Sequence, residues 1–94
     1  MKLVFDKEAL DDIQSIFDWI SKDNPATATD LMSRIFEKVE RLTGPEFTRM
    51  GRFGRDPGTH ELIEAPYITV YEIDERCGLI RVISVVHGAR DTDS

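Results

Sequence analysis

The sequence predicts one α+β domain, residues 1–94, in which a helical hairpin covers one face of a small, mostly antiparallel sheet. Three observations predict it. Apolar residues recur at three- and four-residue steps through the first half of the chain. The second half carries three runs rich in β-branched and aromatic residues, separated by short turn sequences. Helices therefore group with helices and strands with strands, in the order β-α-α-β-β-β, which is the α+β pattern and not the alternation of a parallel α/β fold.

The elements follow in order. Residues 2–5 (Lys-Leu-Val-Phe) read as a short strand. Asp6 is placed to cap a helix over about residues 7–22, with Glu8 in its favourable first turn. Leu10, Ile13, Phe17 and Ile20 give that helix one apolar face, and Ile16 and Trp19 widen it. Trp19 has two readings, a core residue or an exposed anchor for a partner. Asp23-Asn24-Pro25 breaks and restarts the chain, since Asn suits an N-cap and Pro the first helical position. Ala28, Leu31, Ile35, Val39 and Leu42 form a second helical stripe that Gly44-Pro45 ends. With so few residues between them, the two helices should pack antiparallel.

Residues 46–58 combine Phe47, Met50 and Phe53 with glycines, a proline and Arg49, Arg52 and Arg55, and read as a loop whose aromatics dip into the core edge. Strands follow over 59–64, 67–74 and 79–87, with a tight connection at 64–67 and a turn at 74–78. Strict alternation in the last strand puts Ile80, Val82, Ser84 and Val86 toward the helices. Leu79, Arg81, Ile83, Val85 and His87 then point outward or toward a partner.

Composition excludes several classes. At 40% hydrophobic and 32% charged, the chain is globular and not disordered. Its longest apolar stretch, around Val82 to Val86, is far too short to span a bilayer, and the N-terminus turns acidic at Asp6, unlike a secretory signal. Cys77, the single cysteine, forms no intrachain disulfide and reads as a turn residue in a reducing cytosol. The net charge of −6 disfavours non-specific nucleic-acid binding, but from Arg49 to Arg55 there are three arginines and no acid. That stretch is the most unusual in the chain, and we expect it to meet acidic side chains of a partner.

Cutting RNA at a phosphodiester requires a base, an acid and a cation. Glu61, Arg81 and His87 are the right types, and alternation allows Glu61 and Arg81 to share the outer face. The other reading is a surface ion pair between Glu61 and Arg81, with His87 a strand-end residue. No metal site is expected, because His60 and His87 lie on different strands with no Cys partner, and no cofactor is expected. Gly51-x-x-Gly54 lacks the strand-to-helix context and Lys-Ser of a phosphate loop.

Five local patterns, taken together, resemble the RelE/ParE toxin family of type II toxin–antitoxin systems. They are Phe5 followed by Ala9 to Ile20; Asn24-Pro25-Ala26 with Ala28 and Leu31; Gly51-Arg52 then Gly54-Arg55-x-Pro57-Gly58-Thr59-x-Glu61-Leu62; Tyr67-x-x-x-Tyr71; and Val86-His87-Gly88-Ala89-Arg90, which is similar to the ParE-type ending. The resemblance covers nearly the whole chain. It implies a cytoplasmic, plasmid-stabilisation-type toxin, silenced in a hetero-oligomer with a ParD-like antitoxin and directed at DNA gyrase. The alternatives it implies are RelE-like cleavage of mRNA on the ribosome, or an inactive member that only binds antitoxin. Three features depart from the ribonuclease members: His60 stands where arginine is more frequent, the charge is acidic, and no tyrosine follows His87. The implied partner contacts are Trp19, Arg49, Arg52, Arg55, Arg81, His87 and Arg90, with Glu61, Arg81 and His87 as the alternative catalytic set.

Overall fold

Asn24 starts the second helix as its sequence predicts. Its side chain accepts a hydrogen bond from the Thr27 N–H at 3.1 Å, and Pro25 takes the first helical position. This and the rest of the architecture come from a computed structural model that describes residues 2–44 and 51–88. In chain order the elements are β1 (Lys2–Phe5), α1 (Lys7–Ser21), α2 (Pro25–Glu40), a 3-10 turn (Arg41–Thr43), β2 (Arg52–Phe53), β3 (Thr59–Glu64), β4 (Tyr67–Asp74) and β5 (Leu79–His87).

The α2 stripe is buried throughout: Ala28, Leu31, Ile35 and Val39, with Leu42 continuing it in the 3-10 turn. On α1 the buried positions are Ala9 and Ile13, with Ile16, Phe17 and Ile20 packed at the margin. Leu10, expected in that face, is half exposed. The face is turned by one residue, and the small Ala9 side chain lets the helix approach its neighbours closely. Asp6 precedes α1 but makes no side-chain cap; its carboxylate lies 3.8 Å from the Arg81 Nε instead.

The sheet runs β1-β5-β4-β3-β2. β1 is parallel to β5, with Lys2 to Phe5 opposite Leu79 to Val82, and the remaining pairs are antiparallel. Tyr71, Ile80 and Val82 of the sheet meet Ile35, Val39 and Leu42 as the most deeply buried side chains. The segment expected to be loop contains the two-residue strand β2, which pairs with Glu61 and His60.

One feature of β5 overturns the expected alternation. Val70 pairs with Ser84 but the next residue, Tyr71, pairs with Val82, so Ile83 is an extra residue in β5. Past this bulge the side chains exchange faces. Val85 and His87 join Ile80 and Val82 on the helix side, while Ser84 and Val86 go to the face that carries Arg81.

Among the described residues the outer strands are short, and helix side chains bond the inner strands beyond them. β1 pairs only as far as Val82, and beyond it the Val85 N–H donates to Asp12 Oδ2 of α1 at 3.0 Å. β2 pairs only with the start of β3, and beyond it Lys38 Nζ of α2 donates to the Ile63 carbonyl at 2.6 Å. Among the described residues no helix is long and apolar enough to cross a membrane.

Removing the Asp12 acceptor leaves a strand N–H without its partner, a loss of about 1 kcal/mol. We therefore expect Asp12→Ala to lower the urea midpoint measurably and Asp11→Ala, at the exposed neighbouring position, to leave it nearly unchanged. Equal midpoints for the two variants would remove this role for Asp12.

Candidate partner-binding surfaces

The Ile83 bulge decides the fate of the candidate catalytic set. Arg81 is exposed on the face away from the helices, where its Nη2 donates to Glu72 Oε1 at 3.0 Å. Its guanidinium pKa is raised first by that hydrogen bond and then by the field of Asp6. Glu61 lies on the same face but is only 5% exposed, and its Oε1 accepts from Arg52 Nε at 2.9 Å. The expected Glu61–Arg81 pair is not formed, because each residue has a nearer partner of opposite charge. His87 is on the other face, with its ring edge-on to Tyr67 at 5.3 Å. These three groups therefore do not converge on one point.

His87 instead lines a groove of about 560 Å³ between α1 and the end of β5, with Asp12, Ser15, Ile16, Trp19, Tyr67, Val85 and Val86. Trp19 stands at its rim, 70% exposed, with Lys22 Nζ 5.9 Å from the ring centroid. It is a surface residue and not part of the core. The groove offers apolar walls beside the stretch of β5 that β1 leaves uncovered.

A second surface lies around β2. Arg52 and Phe53 form that strand, and Arg55 is exposed in the turn after it; Arg49 and Arg90 lie outside the described residues, as do Phe47 and Met50. Phe53 does not dip into the core edge as expected: it is 86% exposed. Its ring packs on His60 at 5.5 Å, and His60 stacks on Tyr71 at 5.4 Å with 20° between the planes. The three rings make a ladder from solvent to core. Burial pushes the Tyr71 hydroxyl pKa up, and the buried His60 Nδ1 has no hydrogen-bond partner. Gly51 closes over the base of this ladder with φ +75°, where a Cβ would collide with Tyr71 Oη. Sequence reading missed the ladder because Phe53, His60 and Tyr71 sit on three strands, and only the pairing register brings them together. A large aromatic between Arg52 and Arg55 was the sole local signal.

The described residues contain no group of three or more His, Cys, Asp or Glu side chains placed to hold a metal ion.

The sequence profile described as the ParE toxin of the type II toxin–antitoxin system parDE matches residues 3–92. This chain belongs to the ParE toxin family. A search of curated proteins finds no match. Among solved structures, the chain is similar to the chromosomal ParDE toxin–antitoxin system from P. aeruginosa, with TM-score 0.78 and 22% identity over 93% of this chain and 95% of that one. It is also similar to the RelBE2 toxin–antitoxin complex of Mycobacterium tuberculosis, at TM-score 0.64 and 20% identity over 92% and 88% of the two chains. The isolated E. coli RelE toxin aligns at TM-score 0.56 and 22% identity over 92% and 82%. At such identities these likenesses establish a shared fold: two helices on a five-stranded mixed sheet.

Cys77 lies apart from both surfaces, exposed in the β4–β5 turn, where its N–H donates to Asp74 Oδ1 at 3.1 Å. A hydrogen bond from the thiol to Asp74, and then that carboxylate's charge, raise the thiol pKa. Less thiolate is present at a given pH, so the chain should react with iodoacetamide at pH 8 more slowly than free cysteine, and Asp74→Asn should speed it. An unchanged rate in Asp74→Asn would show that the carboxylate does not hold the proton.

Proposed function

We propose that this ParE-family toxin acts by binding DNA gyrase and not by cutting RNA, and that a ParD-like antitoxin silences it by direct contact in the cytoplasm. The observation that supports this reading is that the β5 bulge carries His87 to the face opposite Glu61 and Arg81, which are each bonded to another partner. Arg81 is already bound to Glu72 and close to Asp6, and these two carboxylates weaken its pull on a phosphate. The net charge of −6 weighs the same way, since a chain that grips messenger RNA profits from a positive surface.

The antitoxin contact rests on the α1–β5 groove. A groove with apolar walls and an exposed Trp19 suits a helical segment that buries one apolar face. The P. aeruginosa and M. tuberculosis structures are by their titles toxin–antitoxin systems, which supports an antitoxin as the occupant.

Induction without antitoxin should stop growth with a DNA-damage response, and co-expression of a cognate ParD-like antitoxin should restore growth. Purified protein should inhibit gyrase supercoiling and leave mRNA intact in a translating extract. His87→Gln should retain most of the toxicity, whereas loss of a general acid–base group would cost about 10²–10⁴ in rate. Site-specific mRNA cuts on the ribosome that vanish with His87→Gln would replace this reading with ribonuclease action.

A further inference from the structure

The structure points to a second, separate docking surface: we propose that Arg52, Phe53 and Arg55 form the arm by which the toxin seizes its protein target. The Phe53 ring enters an apolar pocket there, and the flanking arginines meet acidic side chains at the pocket's border. This rests on the reading of the chain as a toxin that acts by binding.

Phe53 is the most exposed large apolar side chain among the described residues. An exposed Leu or Val on a small domain is ordinary, but a phenyl ring presented almost whole to water is a feature of binding surfaces. The ring is also braced. His60 supports it, Tyr71 supports His60, and Tyr71 is fully buried in the core. The arm itself is fixed to the sheet. Arg52 and Phe53 pair with Glu61 and His60, Arg52 Nε bonds Glu61, and the Gly54 N–H donates to the Thr59 carbonyl at 2.9 Å. The turn beyond is closed by Thr59 Oγ1 donating to the Asp56 carbonyl at 2.7 Å. A side chain held this way loses little conformational freedom on binding, so its buried area converts efficiently into affinity.

The charge around the arm names the partner's chemistry. Lys38, Arg41 and Arg52 line a hollow of about 340 Å³ beside it, together with the buried Glu61, and Arg55 follows on the turn. Basic side chains thus line this edge of a chain whose net charge is −6, with Glu61 against Arg52 and Glu64 against Lys38. An acidic protein surface complements that edge, whereas a polyanion such as nucleic acid is repelled by the rest of the molecule. Aromatic and arginine side chains together are also the usual composition of protein–protein hot spots. β2 is the edge of the sheet farthest from β1, while the Trp19 groove lies between α1 and β5. Phe53 is therefore not part of the wall that a helix in the groove would cover.

The test is Phe53→Ser in the full chain, with Phe53→Trp as the variant that keeps a ring. Phe53 is 86% exposed and reaches the core only through His60, so both variants should stay folded, with a urea midpoint close to that of the wild type. Phe53→Ser should lose growth arrest on induction without antitoxin. It should also raise the concentration needed to inhibit gyrase by about thirtyfold or more, the loss typical of an interface hot spot. Phe53→Trp should remain toxic. Affinity for the cognate antitoxin, measured by calorimetry, should be unchanged in both. Three results would overturn the proposal: Phe53→Ser as toxic as wild type; a parallel fall in antitoxin affinity, which would place the arm in the antitoxin interface; or wild-type binding to a single-stranded oligonucleotide that Phe53→Ser abolishes. Wild-type toxin that stops growth without inhibiting gyrase would reject the gyrase reading alone, because the growth readout at Phe53 is the same for any target.

Discussion

β5 has to satisfy three neighbours at once: parallel β1 on one side, antiparallel β4 on the other, and α1 across its face. The extra residue Ile83 is how it does so, and much else depends on that residue. Before the bulge, Ile80 and Val82 enter the core and Arg81 points away from the helices. After it, Val85 takes the core position and its N–H is left for Asp12 to accept. His87 is carried to the helix side, where it walls a groove instead of completing a polar cluster with Arg81. A single inserted residue thereby builds one surface and dismantles another.

The charges are arranged by the same economy. Arg81 is held by Glu72 with Asp6 nearby, Arg52 by Glu61, and Lys38 and Arg34 lie against Glu64. The exposed pairs among these contribute little stability each, about 0–1 kcal/mol. Their effect is positional. Arg52 fixes β2 to β3 through a carboxylate that is itself buried, and Lys38 ties α2 to the free edge of β3. The arginine-rich segment is thus partly spent on holding the sheet together, and Phe53 is presented by that framework.

What was legible in the sequence was local. The N-cap at Asn24, the α2 stripe and the three strands rest on signals within a few residues of one another, and the structure reproduces them. The α+β class followed from their order alone. What escaped depends on partners far along the chain. Nothing at Ile83 marks a bulge, since no glycine stands there and the composition is that of any strand. Asp12 reads as one more acid on a solvated helix until Val85, 73 residues away, is placed beside it. Leu10 and Trp19 have the right spacing for the core, but α1 is rotated so that Ala9 faces inward. β2 is two residues long, too short for periodicity to register. His87 is parted from Arg81 for the first of these reasons: face assignment by strict alternation cannot survive an inserted residue.

The short outer strands have a consequence for how the molecule behaves in a crowd of its own copies. A sheet order of β1-β5-β4-β3-β2 has two different edges, and two unlike edges that pair add copies head to tail without closing. Such growth yields filaments, not dimers. β1 has four residues against nine in β5, and β2 has two against six in β3. Each therefore offers too little backbone to template another chain. The lengths of β5 and β3 left over are interrupted by a carboxylate at one edge and an ammonium at the other. Two helix side chains thus satisfy backbone groups that a second copy would otherwise pair with.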